Sequence, residues 1–207
     1  GLLVAAASRP VPDGPQLAPT GLEGMLASEG LGLPFAIAVD PTLAVRELAG
    51  ALLVVDGYSD HPINAGFAGA RRTLWFQPRA VLASGPARAL VSATAHSWGE
   101  RDLEHGPPAK GADDLAGPVA LAAVGAHRVV AIGSAESFTT AALRGGASAG
   151  DLWLERAVRW LGGQTLPRAA PGKSAAQVRL VMTDGERRAV IAASVAGIPP
   201  AWLALGG

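Results

Sequence analysis

The segment Gly117–Gly163 constrains the fold more than any other part of the chain. Two short apolar runs, Val119–Val124 and Arg128–Ile132, are separated only by Gly125-Ala126-His127. Runs this short, bounded by Gly and Pro and rich in Val, Ala and Ile, read as two strands joined by a tight turn. From Asp151 the apolar period changes. Leu154, Val158 and Leu161 fall at i, i+4 and i+7, with Trp153, Ala157 and Trp160 widening the stripe. Glu155, Arg156 and Arg159 fill the opposite face, the pattern of an amphipathic helix. Asp151 is the expected N-cap and Gly162-Gly163 the stop. The helix is therefore expected to pack on the sheet through Leu154, Val158 and Leu161.

The chain has 207 residues, enough for one large domain or a domain with an appendage. Hydrophobic residues make up 49% and aromatic ones only 5%, with 27 glycines, so a sizeable core must be built largely from small side chains. Acidic and basic residues balance at 17 each, which leaves no electrostatic footprint for nucleic acid. With no cysteine, disulfides, thiolate catalysis and Cys-ligated metals are excluded. A first residue Gly1 in place of an initiator Met points to a piece of a longer protein.

Before the central segment, strands are expected near Leu2–Ala7, Phe35–Val39, Leu52–Val55, Thr73–Phe76, Ala80–Leu82 and Ala89–Thr94. Thr20 and Glu23 form a capping box for a helix with Leu22, Met25 and Leu26 on its apolar face, ended at Gly30. His96–Asp114 reads as a polar loop. Elements alternate loosely, with several strands in succession between Leu52 and Ile132. The fold class is α/β, a mixed sheet flanked by helices, with the strands near Leu2, Leu52, Ala89, Val119 and Arg128 in one sheet. The expected organisation is an α/β domain over 1–166, a linker and extended segment over 167–182, and a C-terminal apolar helix over 183–207. That last run opens with a second capping box, Thr183 and Glu186, and carries no charged residue from Ala189 to Gly207. Its length approaches the roughly 20 apolar residues a spanning helix needs, and it is expected to begin a membrane anchor.

Several motifs bear on chemistry. Gly146-Ala147-Ser148-Ala149-Gly150 matches the nucleophile-elbow pattern. An elbow needs a strand immediately before it and a His after it; Phe138–Leu143 looks helical, and no His follows Ser148. The small residues fit a loop feeding the helix. Gly172-Lys173-Ser174 lacks the upstream Gly of a phosphate-binding loop, since position 167 is Pro. His61, His96, His105 and His127 show no ligand spacing, so a metal site would need tertiary contacts to gather two of them with Asp60 or Asp113. Asp60-His61-Pro62 is the most distinctive cluster. The Pro biases His61 toward extended backbone, and Asp60 is placed to orient the imidazole; the bland reading, which we favour, is a structural turn. Trp153 and Trp160 belong to the core, and Trp98, beside Glu100, is left as a candidate surface contact.

Taken in order, these segments resemble one family. Thr20–Ile37 with Asp40-Pro41 looks like its leading helix, loop and Asp-Pro. Tyr58-Ser59-Asp60-His61-Pro62-Ile63 looks like its "Y-x-x-HPI" segment, followed by the run Leu74–Val81. Gly117–Ser134 resembles its paired strands, Asp151–Gly162 its closing helix, and the C-terminal run its entry into the membrane. The family is the GldG-like auxiliary component of ABC-type transport systems, related to the gliding-motility transporter subunit. The chain departs from it at Gly146–Gly150, where an Asn is common, and ends before the basic residues that close the span.

The resemblance implies an extracytoplasmic domain similar to class I glutamine amidotransferase-like and flavodoxin-like folds, with intraflagellar-transport proteins carrying a related domain. It implies a periplasmic, membrane-anchored, non-catalytic subunit beside an ABC-type permease and ATPase; the residues themselves lead us to expect no cofactor and give a metal no support. Tyr58, Asp60, His61, Pro62 and Trp98 are its candidate binding or structural positions, and oligomeric state stays open. The rival is a hydrolase or carbohydrate-active enzyme on the same scaffold, similar to trehalose-utilisation proteins. An amidotransferase mechanism is ruled out by the missing cysteine nucleophile.

Overall fold

A computed structural model describes residues 1–8, 17–48, 50–103, 108–144 and 148–166. In chain order it contains β1 (Leu2–Ala5), α1 (Glu23–Ser28), β2 (Leu31–Gly32), β3 (Ile37–Val39), β4 (Leu52–Val55), β5 (Thr73–Phe76) and β6 (Leu82–Ala83). These are followed by β7 (Arg88–Ser92), β8 (Trp98–Glu100), β9 (Leu115–Ala116), β10 (Ala120–Val124), β11 (Val129–Ile132), α2 (Thr140–Arg144) and α3 (Gly150–Leu161). The architecture is mixed α/β, with strands outnumbering helices.

The central sheet has the order β1-β11-β10-β7. β10 and β11 form the expected hairpin, its turn tightened by Arg128 at φ 57°. β1 joins β11 in parallel although it lies at the other end of the sequence. β10 and β11 are buried along their whole length, as apolar strands covered on both faces must be. The side chains of β11 alternate between two cores. Val130 and Ile132 enter an aromatic-rich cluster with Trp75, Phe67 and Trp153, while Val129 and Ala131 join a small-residue cluster with Val4, Leu26 and Leu31.

The strand at Leu52 corrects the expectation of a single sheet. β4 pairs antiparallel with β5 in a separate ladder, and shorter ladders join β2 to β6 and β3 to β8 and β9. The reason is local. β5 takes one edge of β4, and the segment 43–45 takes the other, with Val45 N donating to Leu52 O at 2.9 Å and Val54 N to Leu43 O at 3.0 Å, so no edge of β4 is left for the central sheet. Gly133 lets the backbone after β11 approach the Arg79 carbonyl, where a Cβ would collide, and its own carbonyl accepts from Arg79 N at 2.7 Å.

Helix α3 forms where expected, but its buried face is rotated. Trp153, Arg156, Ala157 and Leu161 are buried, Leu154 is half-buried and Val158 is 55% exposed. The indoles decide this: Trp153 stacks edge-on against Trp75 at 6.1 Å, and so large a ring fixes which side turns inward. Asp151 lies within the first turn rather than at the N-cap, which is Ala149. In α1 only Leu26 of the expected face is buried; Leu22 and Met25 stay exposed. Only half of the expected capping box forms: Thr20 N and Oγ1 both donate to Glu23 Oε1, at 2.7 and 3.0 Å, while Thr20 Oγ1 accepts from Leu22 N and the N-cap is Leu22. Glu23 is held below its ordinary pKa, chiefly by the bond from Thr20 N.

Among the described residues no helix is long and apolar enough to cross a membrane. The segments 167–182 and 183–207, with the expected anchor, lie outside the described residues.

Candidate functional site

The His61–Pro62 turn is built into the interior. After β4 the chain returns to pair Tyr58 with Val91 of β7. The Tyr58 hydroxyl lies 3.1 Å from Val55 O and 3.0 Å from Thr73 Oγ1, and burial pushes its pKa up to about 12. His61 has the extended backbone that a following Pro enforces, φ −145° and ψ 147°. Its Nδ1 accepts from Ile63 N at 3.3 Å, capping the 3-10 turn Pro62–Asn64 and placing the ring proton of the neutral form on Nε2. The imidazole meets Trp160 edge-on at 5.0 Å. Its pKa is lowered, first by burial and then by Arg88, with Asp60 acting in the opposite sense. Asp60 itself and Pro62 are exposed.

Arg156, assigned by periodicity to the polar face of α3, is what holds this turn. It is buried, and its guanidinium donates from Nε to Ile63 O at 2.8 Å and from Nη2 to Pro62 O at 2.7 Å. Burial lowers its pKa below the ordinary arginine value. Asn64 completes the lock. Its amide donates to Ser59 O at 3.0 Å and Leu90 O at 2.8 Å, and its Oδ1 accepts from Trp153 Nε1 at 2.9 Å. Tyr58, His61, Pro62 and Asn64 thus form a joint between the turn, β7 and α3.

Trp98 corrects a second expectation. The stretch 96–114 is not loop throughout: Trp98 lies on β8, buried, between β3 and β9. Gly99 permits this, because a Cβ there would press into the Leu115 side chain at 2.9 Å. Instead of standing free on the surface, the indole lines a recess of about 590 Å³. Ile37, Val39 and Leu48 give the recess apolar walls, and Glu100 and Asp102 its acidic groups. Glu100 is 4% exposed. Trp98 Nε1 donates to its Oε2 at 3.2 Å and Asp102 N to its Oε1 at 3.0 Å. Neither Asp60 nor His61 lines this recess, so the structure does not bring Trp98 together with the Asp-His-Pro cluster.

A smaller slot of about 330 Å³ lies elsewhere, lined by Leu52, Leu74, Phe76, Glu136, Ser137 and Ser148 among others. Ser148 Oγ accepts from Leu74 N at 3.2 Å and Gly150 N at 3.0 Å, so both lone pairs of the would-be nucleophile serve backbone groups. Glu136 Oε2, in the same wall, is buried without a hydrogen-bond partner among the described residues. His96 and Asp113 are exposed, and His127 pairs with Glu29 at 3.2 Å. His105 and Gly172-Lys173-Ser174 lie outside the described residues. Among those described, no three His, Asp or Glu side chains are grouped to hold a metal.

Sequence reasoning missed Arg156, Asn64 and Arg79. Arg79 is fully buried and donates to Pro34 O, Ala18 O and Leu33 O at 2.8, 3.0 and 2.6 Å. No local pattern marks an arginine whose partners are carbonyls far away in sequence. For Glu100 a signal existed: it sits two residues from Trp98 on what proves to be the same face of a strand.

No family model and no curated protein sequence matches the chain. Among solved structures, the chain is similar to one titled "mmIFT52 N-terminal domain", with a TM-score of 0.50 and 15% sequence identity. The match covers 70% of this chain and 59% of that one, so the chain spans less than two thirds of its structural neighbour. At this identity the likeness speaks to the fold alone.

Proposed function

We propose that this chain is a non-catalytic, extracytoplasmic binding subunit of an ABC-type transporter, similar to the gliding-motility auxiliary proteins. Its scaffold, in this reading, is similar to the class I glutamine amidotransferase domain, and its segment from Ala189 onward starts the membrane anchor. The ordered resemblance of Tyr58–Ile63, Gly117–Ser134 and Asp151–Gly162 to that family supports the transporter assignment.

The observation that carries binding over chemistry is how the reactive side chains are spent. His61 Nδ1 caps a turn and Ser148 Oγ is filled by two backbone donors, whereas the Trp98–Glu100 recess leaves about 590 Å³ open beside a buried carboxylate. A general base or nucleophile needs a free lone pair within reach of substrate. A recess of this size instead falls in the range of small-molecule sites, roughly 300–1,000 Å³.

The test is affinity purification of the tagged full-length protein from detergent-solubilised membranes. Permease and ATPase subunits encoded beside its gene are expected to co-purify. Recovery of the protein from the soluble fraction alone, with neither subunit attached, overturns the assignment.

A further inference from the structure

We propose that the Trp98–Glu100 recess binds an organic cation, an ammonium group carried on an apolar body. The proposal rests on reading the chain as a binding subunit and adds the class of ligand.

Glu100 carries the argument. Its carboxyl group is withdrawn from water, and each of its two oxygens accepts one hydrogen bond. Both donors are neutral, an indole N–H and a backbone N–H. None of the ion pairs formed among the described residues includes Glu100; these join Arg72 to Asp56, His127 to Glu29 and Arg159 to Glu155. Neutral donors orient a buried carboxylate without cancelling its charge, and an uncompensated charge is costly away from water. A cation entering the recess meets that charge where screening is weaker than in bulk solvent, and an anion is repelled for the same reason.

The surroundings sharpen the chemistry. No Lys, Arg or His is among the described residues that line the recess. The whole chain is electrically neutral, so the negative sign comes from where residues are placed and not from composition. A hard metal ion is a poor match, since Ca²⁺ takes roughly 6–8 oxygen ligands. Ile37, Val39, Leu48 and Leu103 provide apolar walls suited to a hydrocarbon body. The Trp98 indole adds a π-system of the kind that attracts alkylammonium groups.

The experiment is calorimetric titration of the full-length protein with three probes of similar size: benzyltrimethylammonium, 2-phenylethanol and 3-phenylpropionate. The cation is expected to bind at least about tenfold tighter than either of the others, with the preference reduced by added salt. Glu100→Gln is expected to lower the cation's affinity about tenfold and leave that of 2-phenylethanol unchanged. Should Glu100→Gln fail to fold, the ranking of the probes on the unaltered protein decides. Equal affinities, or a folded Glu100→Gln protein that binds the cation as before, overturn the cation assignment while the recess remains a binding site. No binding of any probe overturns both this inference and the recess as the site; the co-purification tests the transporter assignment independently.

Discussion

The His61–Pro62 turn and the Trp98–Glu100 recess each combine an indole, a charged side chain and backbone polar groups, yet they dispose of them oppositely. In the turn the charge is a cation, Arg156, and its donors go to carbonyls of its own chain. In the recess the charge is an anion, Glu100, which takes only neutral donors and no ion pair among the described residues, beside an open volume. The first arrangement is closed and structural; the second sets a carboxyl group with neutral donors beside a cavity. Residues that look chemical in a one-dimensional reading, Asp60-His61-Pro62, sit in the closed one.

The comparison breaks most readily at Arg156. Arg156→Met leaves Ile63 O without a guanidinium donor and Pro62 O with only the long bond from Ala65 N, 3.3 Å, in a buried setting. Hydrogen bonds to charged groups contribute about 1.5–3 kcal/mol each, so a loss of about 3 kcal/mol is expected in urea unfolding. An unchanged midpoint would show that the turn does not depend on α3. Glu100→Gln is expected to be milder, no more than about 1 kcal/mol, because a carboxamide keeps one acceptor for the two N–H donors and removes a charge whose burial is itself costly. A loss as large as that of Arg156→Met would mean that Glu100 is structural too.

The next effect is in pH. His61 has a depressed pKa in the folded state, so below its ordinary value of about 6.5 the unfolded chain takes up a proton that the folded chain resists. Stability is therefore full above about pH 6.5 and declines as pH falls toward the folded pKa, below which this contribution levels off. In His61→Asn, whose side-chain oxygen can still accept from Ile63 N, that part of the slope should vanish in melts between pH 7.5 and 5. Persistence of the whole slope assigns it to other groups. Smallest is Val158→Lys. The rotated face of α3 leaves Val158 in solvent, so the substitution should change stability by no more than about 0.5 kcal/mol. A loss of several times that amount would restore the helix face read from periodicity.

Periodicity located α3 and the β10–β11 hairpin, because a 3.6-residue stripe and a glycine-marked turn are local properties of the chain. The extended backbone of His61 was equally legible, since the ring of the following Pro62 imposes it sterically. What local pattern could not decide was which side of the stripe faces in. Trp153 and Arg156 turned inward because Trp75, Asn64 and two carbonyls of the turn wait there, partners supplied by residues 78 to 94 positions away. Only tertiary structure separated β4 from the central sheet, brought β1 beside β11, and turned Trp98 from an expected surface contact into the wall of a recess. Strand pairing and burial depend on contacts between distant segments, and a sequence lists its residues without saying which of them will meet.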